Sequence, residues 1–184
     1  MDVPNGNKEL SNEKTTVALV TGAAQGIGKR TAIALAERSS NIVLCDLKST
    51  SQVANLLSEK KVNVIELQGD VSNESDVERF VSIVRKEFGR LDVLVNNAGI
   101  SFIKPATETP AKDFRRVLEV NLVGPFLLCR EFGKMMLEQH GGSIINISSI
   151  AGLFGISERS VQCKQGGVDR IDQVPRCRVG RIRG

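Results

Sequence analysis

The eight residues Thr21-Gly22-Ala23-Ala24-Gln25-Gly26-Ile27-Gly28 constrain this chain more than any other stretch. An apolar run, Thr16 to Val20, leads into them and a helix-like segment, Lys29 to Arg38, leads out, so the pattern reads as strand, glycine turn, helix. In that setting Gly22 lets the chain turn tightly, Gly26 lets backbone N–H groups approach a pyrophosphate, and Gly28 lets the helix lie close on the strand. The positive end of the helix dipole then faces the anion. Any strand-to-helix turn can collect glycines; the apolar strand before this one and the amphipathic helix after it favour a phosphate cradle.

Composition limits what can be built around that turn. With 184 residues and 41% hydrophobic content the chain supports one domain with a core of its own. No apolar run approaches the roughly 20 residues of a membrane span, and residues 1–14 are polar and read as a disordered leader. A cytoplasmic protein without a membrane partner is expected. The cysteines Cys45, Cys129, Cys163 and Cys177 lack C-x-x-C spacing, which favours free thiols over bridges or metal ligands. Residues 157–184 hold seven Lys/Arg against three Asp/Glu, and this accounts for the whole net charge of +4. That basic stretch has no aromatic residue for a base to stack on, so a nucleic-acid partner is not expected. His140 is the only histidine, which excludes a Ser/His/Asp triad; before Gly141-Gly142 it reads as the end of a helix.

After the glycine turn, Asn41 to Asp46 is a continuous apolar run ending in an acid, as a buried parallel strand would be. Asp46 stands 18 residues past Gly28, near the spacing at which a carboxylate accepts bonds from an adenosine ribose. A carboxylate there repels a 2′-phosphate and favours NAD over NADP, although a solvated acid at a strand end looks the same. Ser51 to Lys61 reads as a helix and Val62 to Gln68 as strand three. Gly-Asp-Val-Ser at 69–72 is equally a ligand loop and a turn, with Ser72 capping a helix from Asn73 to Phe88. Leu91 to Val95 is strand four, closed by Asn96-Asn97-Ala98-Gly99, small and amide residues suited to a ligand crevice or to a plain turn. Thr109 as N-cap and Pro110 at the first position open a long helix towards His140, bending near Gly124-Pro125. Asn121 interrupts its apolar face as either a site residue or a satisfied core amide. Ser143 to Ser148 is strand five, and Ser148-Ser149 follow at its carboxyl end.

Thr-Gly-x-x-x-Gly-x-Gly at 21–28, Asp70-Val71, Asn96-Asn97-Ala98-Gly99 and Asn146-Ile147-Ser148-Ser149 together resemble the short-chain dehydrogenase/reductase family, in the family's own order. The resemblance implies a doubly wound, Rossmann-type α/β domain over 15–156, with five parallel strands in the order 3-2-1-4-5. It implies an NAD(P)-dependent oxidoreductase interconverting an alcohol and a carbonyl on a small molecule, with reducers of 3-oxoacyl thioesters as similar relatives. By the same resemblance Gly22, Gly26, Ile27 and Gly28 hold the pyrophosphate and Asp46 the ribose, while the Asp70 side chain and Val71 backbone hold the adenine. Asn97 stabilises the central sheet, Ala98 and Gly99 leave room for the ribose, Asn121 holds a water for proton relay, and Ser149 hydrogen-bonds the reacting carbonyl.

The pattern then breaks. The family places Tyr-x-x-x-Lys about a dozen residues after the serine, yet this chain contains no tyrosine. A phenol of ordinary pKa ~10, lowered by a lysine ammonium, is what exchanges a proton with substrate. Gln162 stands near the expected place and cannot titrate; Lys164 is a charge without a partner. Val161-Gln162-Cys163-Lys164-Gln165 must be encoded GTN CAR TGY AAR CAR, and one base later this reads TNC ART GYA ARC ARG, which can spell Tyr-Ser-Ala-Ser-Lys. Residues 168–173 in the same shifted frame permit Leu-Thr-Gly-Leu-Thr-Lys. The expectation is a one-base frame change near Gly155 or Ile156, with 157–184 a basic, disordered tail outside the family pattern. Strand five then becomes an exposed, aggregation-prone edge, and the family's homo-oligomer is doubtful.

Overall fold

A computed structural model describes residues 16–39, 41–60, 62–101, 106–149 and 180–183. Its strands are β1 (Val17–Thr21), β2 (Asn41–Asp46), β3 (Asn63–Gln68), β4 (Val93–Asn96), β5 (Gly141–Asn146) and β6 (Gly180–Arg183). Its α-helices are α1 (Gly26–Leu35), α2 (Ser51–Ser58), α3 (Glu74–Phe88), α4 (Ala111–Leu118) and α5 (Gly124–Glu138). The sheet runs β3-β2-β1-β4-β5-β6, with the first five strands parallel. This is the doubly wound order expected from the sequence.

Alternation along β1 and β2 explains why helices cover both faces. Val17 and Leu19, with Val43 and Cys45, enter a core containing Val77, Phe80 and Val84 of α3 and Phe132 and Met136 of α5. Ala18 and Val20, with Ile42 and Leu44, enter a second core containing Ala32 of α1 and Val53 and Leu57 of α2. All five residues of β1 are buried, as a central parallel strand requires.

Three local details differ from expectation. Asn73, not Ser72, caps α3: its side chain accepts from the Asp76 N–H at 3.1 Å. Acidic residues in the first turn, basic residues in the last, and Gly89 in the left-handed conformation at φ 67° complete that helix. Pro110, not Thr109, stands at the N-cap of α4; its φ of −61° suits a helix but its ψ of 141° keeps it outside. Its carbonyl accepts from the N–H groups of Asp113 and Phe114. Between α4 and α5, Glu119–Val123 form a π-helical turn where a bend was expected. An α-turn would press the Pro125 ring against the carbonyl of Asn121. The wider turn, closed by Gly124 N–H to Glu119 C=O, relieves that contact.

The open edge expected at strand five is not found. Gly180–Arg183, inside the stretch expected to be without structure, pair antiparallel with Gly141–Ile144. Parallel β5 leaves its Gly142 and Ile144 N–H groups pointing away from β4, because Ser143 and Ile147 donate to that neighbour. Any extended segment close by satisfies them. Gln162 and Lys164 lie outside the described residues.

Candidate active site

The carboxyl ends of β1, β2 and β3 are stitched together by backbone and carboxylate bonds. Ala23 N–H donates to Cys45 C=O at 3.2 Å and Gly69 N–H to Asp46 C=O at 3.0 Å. The Asp46 carboxylate accepts from the Ala24 N–H and from the Lys48 N–H, each at 2.9 Å. It therefore sits against the glycine turn with acceptor capacity remaining on each oxygen.

In the turn itself, Gly22 and Gly26 adopt φ of 65° and 55°. A Cβ on Gly28 would lie 2.1 Å from the Gly22 carbonyl oxygen and 2.6 Å from Nδ2 of Asn97. Only hydrogen fits there. A Cβ on Gly26 would meet nothing within 4 Å, so its conformation and not crowding selects glycine, and the space above it is open. Gln25 at the N-cap makes no side-chain cap bond and the first turn of α1 carries no acid. The leading N–H groups thus suit an anion, and the cradle fits a dinucleotide pyrophosphate.

Asn97 binds this turn to the end of β4. Its Nδ2 donates to Thr21 C=O at 2.9 Å and Gly22 C=O at 3.3 Å, while Thr21 Oγ1 accepts from the N–H groups of Asn97 and Ala98 at 3.0 Å each. Thr21 Oγ1 in turn donates to Val95 C=O. Asn121, placed by the π-turn, brackets the backbone of Ile100: Oδ1 accepts from its N–H at 2.9 Å and Nδ2 donates to its C=O at 3.0 Å. A Cβ on Gly99 would lie 3.4 Å from the same Oδ1.

A cavity of ≈ 530 Å³ opens beside these groups. It gathers Ile27, Asn97, Ala98, Gly99, Asn121 and Ser149. Gly22, Gly26, Gly28, Asp46, Asp70 and Val71 lie outside its wall, around the strand ends. Ile27 lines the cavity and is 63% exposed, so its side chain offers the cavity an apolar surface.

Asp70 is held from two sides. Oδ1 accepts from the Ser72 N–H at 2.9 Å and the Ser72 hydroxyl at 2.6 Å, and Oδ2 pairs with the Arg116 guanidinium. Burial pushes the Asp70 carboxyl up, but the bonds from Ser72 and Arg116 outweigh it and hold the group below the ordinary carboxylate value. Asp76 is lowered as well, by the Asp70 N–H and by Arg79. Burial pushes the Cys45 thiol far up, which makes it an inert core residue.

A model of the short chain dehydrogenase family matches residues 16–163. The chain belongs to that family. Relatives include a 3-oxoacyl-[acyl-carrier-protein] reductase of Synechocystis, 39% identical over 76% of this chain and 58% of the relative. An NAD-dependent glycerol dehydrogenase of Listeria innocua is 32% identical over 80% of this chain and 58% of the relative. A metagenomic short-chain oxidoreductase solved in complex with NADP superimposes with a TM-score of 0.79 at 30% identity, over 85% of this chain and 73% of that one. The chain thus spans little more than half the length of these curated relatives, and the short-chain dehydrogenases matched include one named as NAD-dependent and one solved with NADP. Among the described residues no helix is long and apolar enough to cross a membrane, and no cluster of metal ligands occurs.

Sequence reading gave no role of their own to four residues that the fold brings to the site. Thr21 was visible only as the first letter of the glycine motif. Asn96 and Asn146 form the last register pair of β4 and β5, with Asn96 Nδ2 donating to Asn146 Oδ1 at 2.8 Å, and both line the cavity. Both stand in the motifs that carry the family resemblance, but nothing local to either pairs them. Arg116 is 46 residues from Asp70, and no local pattern connects them.

Proposed function

We propose that this chain is the nucleotide-binding part of an NAD-linked oxidoreductase acting on an alcohol/carbonyl pair, with its proton-transfer group missing. The observation that carries the nucleotide half is the turn at Gly22–Gly28, where close packing against Asn97 admits no Cβ at Gly28. Gly22, Gly26, Ile27 and Gly28 hold the pyrophosphate at the start of α1. Asp46 takes the ribose hydroxyls and disfavours a 2′-phosphate, so NAD binds more tightly than NADP. Asp70 and Val71 hold the adenine, and Ala98 and Gly99 give the nicotinamide ribose its room. The bound coenzyme supplies the hydride donor or acceptor.

The chemical half rests on Ser149 and Asn121. Ser149 orients a carbonyl by its hydroxyl and Asn121 anchors the Gly99–Ile100 backbone beside it. Neither titrates near neutrality, and with no tyrosine in the chain the proton has no donor. Substrate turnover is accordingly expected at background. This favours, as a second reading, a nucleotide-binding fragment without catalysis. The shifted-frame Tyr-Ser-Ala-Ser-Lys at 161–165 supports a one-base frame change as the origin of the missing phenol and of the tail from 157 to 184.

Calorimetric titration with NAD and NADP tests the nucleotide half, with heat expected for NAD and weaker binding of NADP. A folded sample giving no heat with either would end the proposal. Assay on a ketone and alcohol panel tests the chemical half, and rates near those of complete relatives would show that no phenol is required. Coding DNA around Gly155 whose codons do not spell the helix in the shifted frame would remove the frame change.

A further inference from the structure

The loop Asp70-Val71-Ser72 is gripped by the arm α4–π-turn–α5 at two points. Arg116 on α4 pairs with Asp70 Oδ2 through Nη2 and donates to Ser72 Oγ at 2.7 Å through Nη1. Gly124 at the start of α5 lies so close beneath Val71 that a Cβ would stand 2.9 Å from Val71 Cγ2 and 3.2 Å from its carbonyl oxygen. Asn121 lies between these two contacts in the chain. The Asp70 carboxylate has about four acceptor positions. Ser72 takes two on Oδ1 and Arg116 one on Oδ2, leaving Oδ2 one acceptor position among the described residues.

We infer that Arg116 is a positioning residue for base recognition: it fixes Asp70 as an ionised, oriented acceptor that selects a ring carrying an exocyclic amino group. This rests on the reading that Asp70 meets the adenine. A guanidinium suits the task because its planar fork reaches carboxylate and hydroxyl together. The groups facing Asp70 are Ser72 in its own loop, Asp76 and Arg79 from α3, Arg116 from α4, and the neutral Cys45 thiol from β2. Arg79 is engaged by Asp76 and the Gln68 carbonyl, so Arg116 is the cation in direct contact with the Asp70 carboxylate.

The test is calorimetric binding of NAD and of its 6-deamino analogue, nicotinamide hypoxanthine dinucleotide, to the full chain, with no turnover needed. The native chain should prefer NAD by roughly tenfold, the worth of one hydrogen bond to a charged group, with no change between about pH 8 and pH 5. Arg116→Met should cut that preference to about twofold or less. The residual preference should fade further as pH drops, because an Asp70 without its cation takes up a proton at higher pH. Arg116→Lys should restore the flat pH profile and part of the preference, since charge returns without the two-pronged reach. Ser72→Ala should reduce the preference with α4 untouched, which keeps the test alive if Arg116→Met does not fold. Native preference and pH profile in both Arg116→Met and Ser72→Ala, with the preference lost in Asp70→Asn, would overturn the role of Arg116 alone. No preference in the native chain, and NAD binding unchanged in Asp70→Asn, would overturn the adenine assignment itself.

Discussion

Gly28 and Gly26 are both glycines of one turn, yet different physics selects each. At Gly28 a methyl group would be driven into the backbone oxygen of Gly22 at 2.1 Å, a partner that cannot rotate away. At Gly26 the penalty is conformational, about 1–2 kcal/mol for an L side chain in the left-handed region. Gly28→Ala is therefore expected to cost about 3 kcal/mol, the upper end for overpacking, and to abolish NAD heat, while Gly26→Ala costs less. Urea unfolding of the two variants checks the order; a Gly28→Ala protein as stable as the parent would contradict the packing described. The glycine spacing was readable in the chain, but which of these reasons applied was not, because Asn97 reaches the turn from just past β4, 75 residues later.

At the scale of elements, α3 shows how far local sequence goes. Ser72 and Asn73 are both competent caps, and the sequence prefers neither by type. The tertiary structure assigns Ser72 to Asp70 and Arg116 and leaves Asn73 to the Asp76 N–H. Asn73→Ala is accordingly expected to lower stability by about 1 kcal/mol, the usual worth of an N-cap, with NAD affinity unchanged. Thermal unfolding and calorimetry on the same variant would read both, and a loss of affinity without a loss of stability would misplace the cap. The π-turn is a similar case. Pro125 announced an irregularity, but nothing local said that the widened turn would set Asn121 against the backbone of Ile100, a partner from the loop after β4.

For the whole molecule, the sheet's last strand decides how the edge is presented. β6 covers Gly141–Ile144, and the pairing stops before Asn146 and the serines. Removing residues 180–184 should speed hydrogen exchange at the Gly142 and Ile144 amides, leave Asn146 unchanged, and promote association visible by light scattering. Unaltered exchange at Gly142 and Ile144 would show that β6 is not their partner. The apolar runs and the glycine turn by themselves determined where the five strands lie and how the first turns into its helix, because strand burial and turn chemistry are local properties; the order of the strands came with the resemblance to the family. The candidate residues at 21–28 and 46 were legible from turn chemistry and spacing, whereas the roles given to 70–71, 97–99, 121 and 149 came with the resemblance to the family. Only the tertiary structure decided that β6 covers the edge, that Asn96 pairs with Asn146, and that Arg116 holds Asp70. Those contacts join residues far apart in the chain, and they exist only once packing of the helices on the sheet has brought the strand ends together.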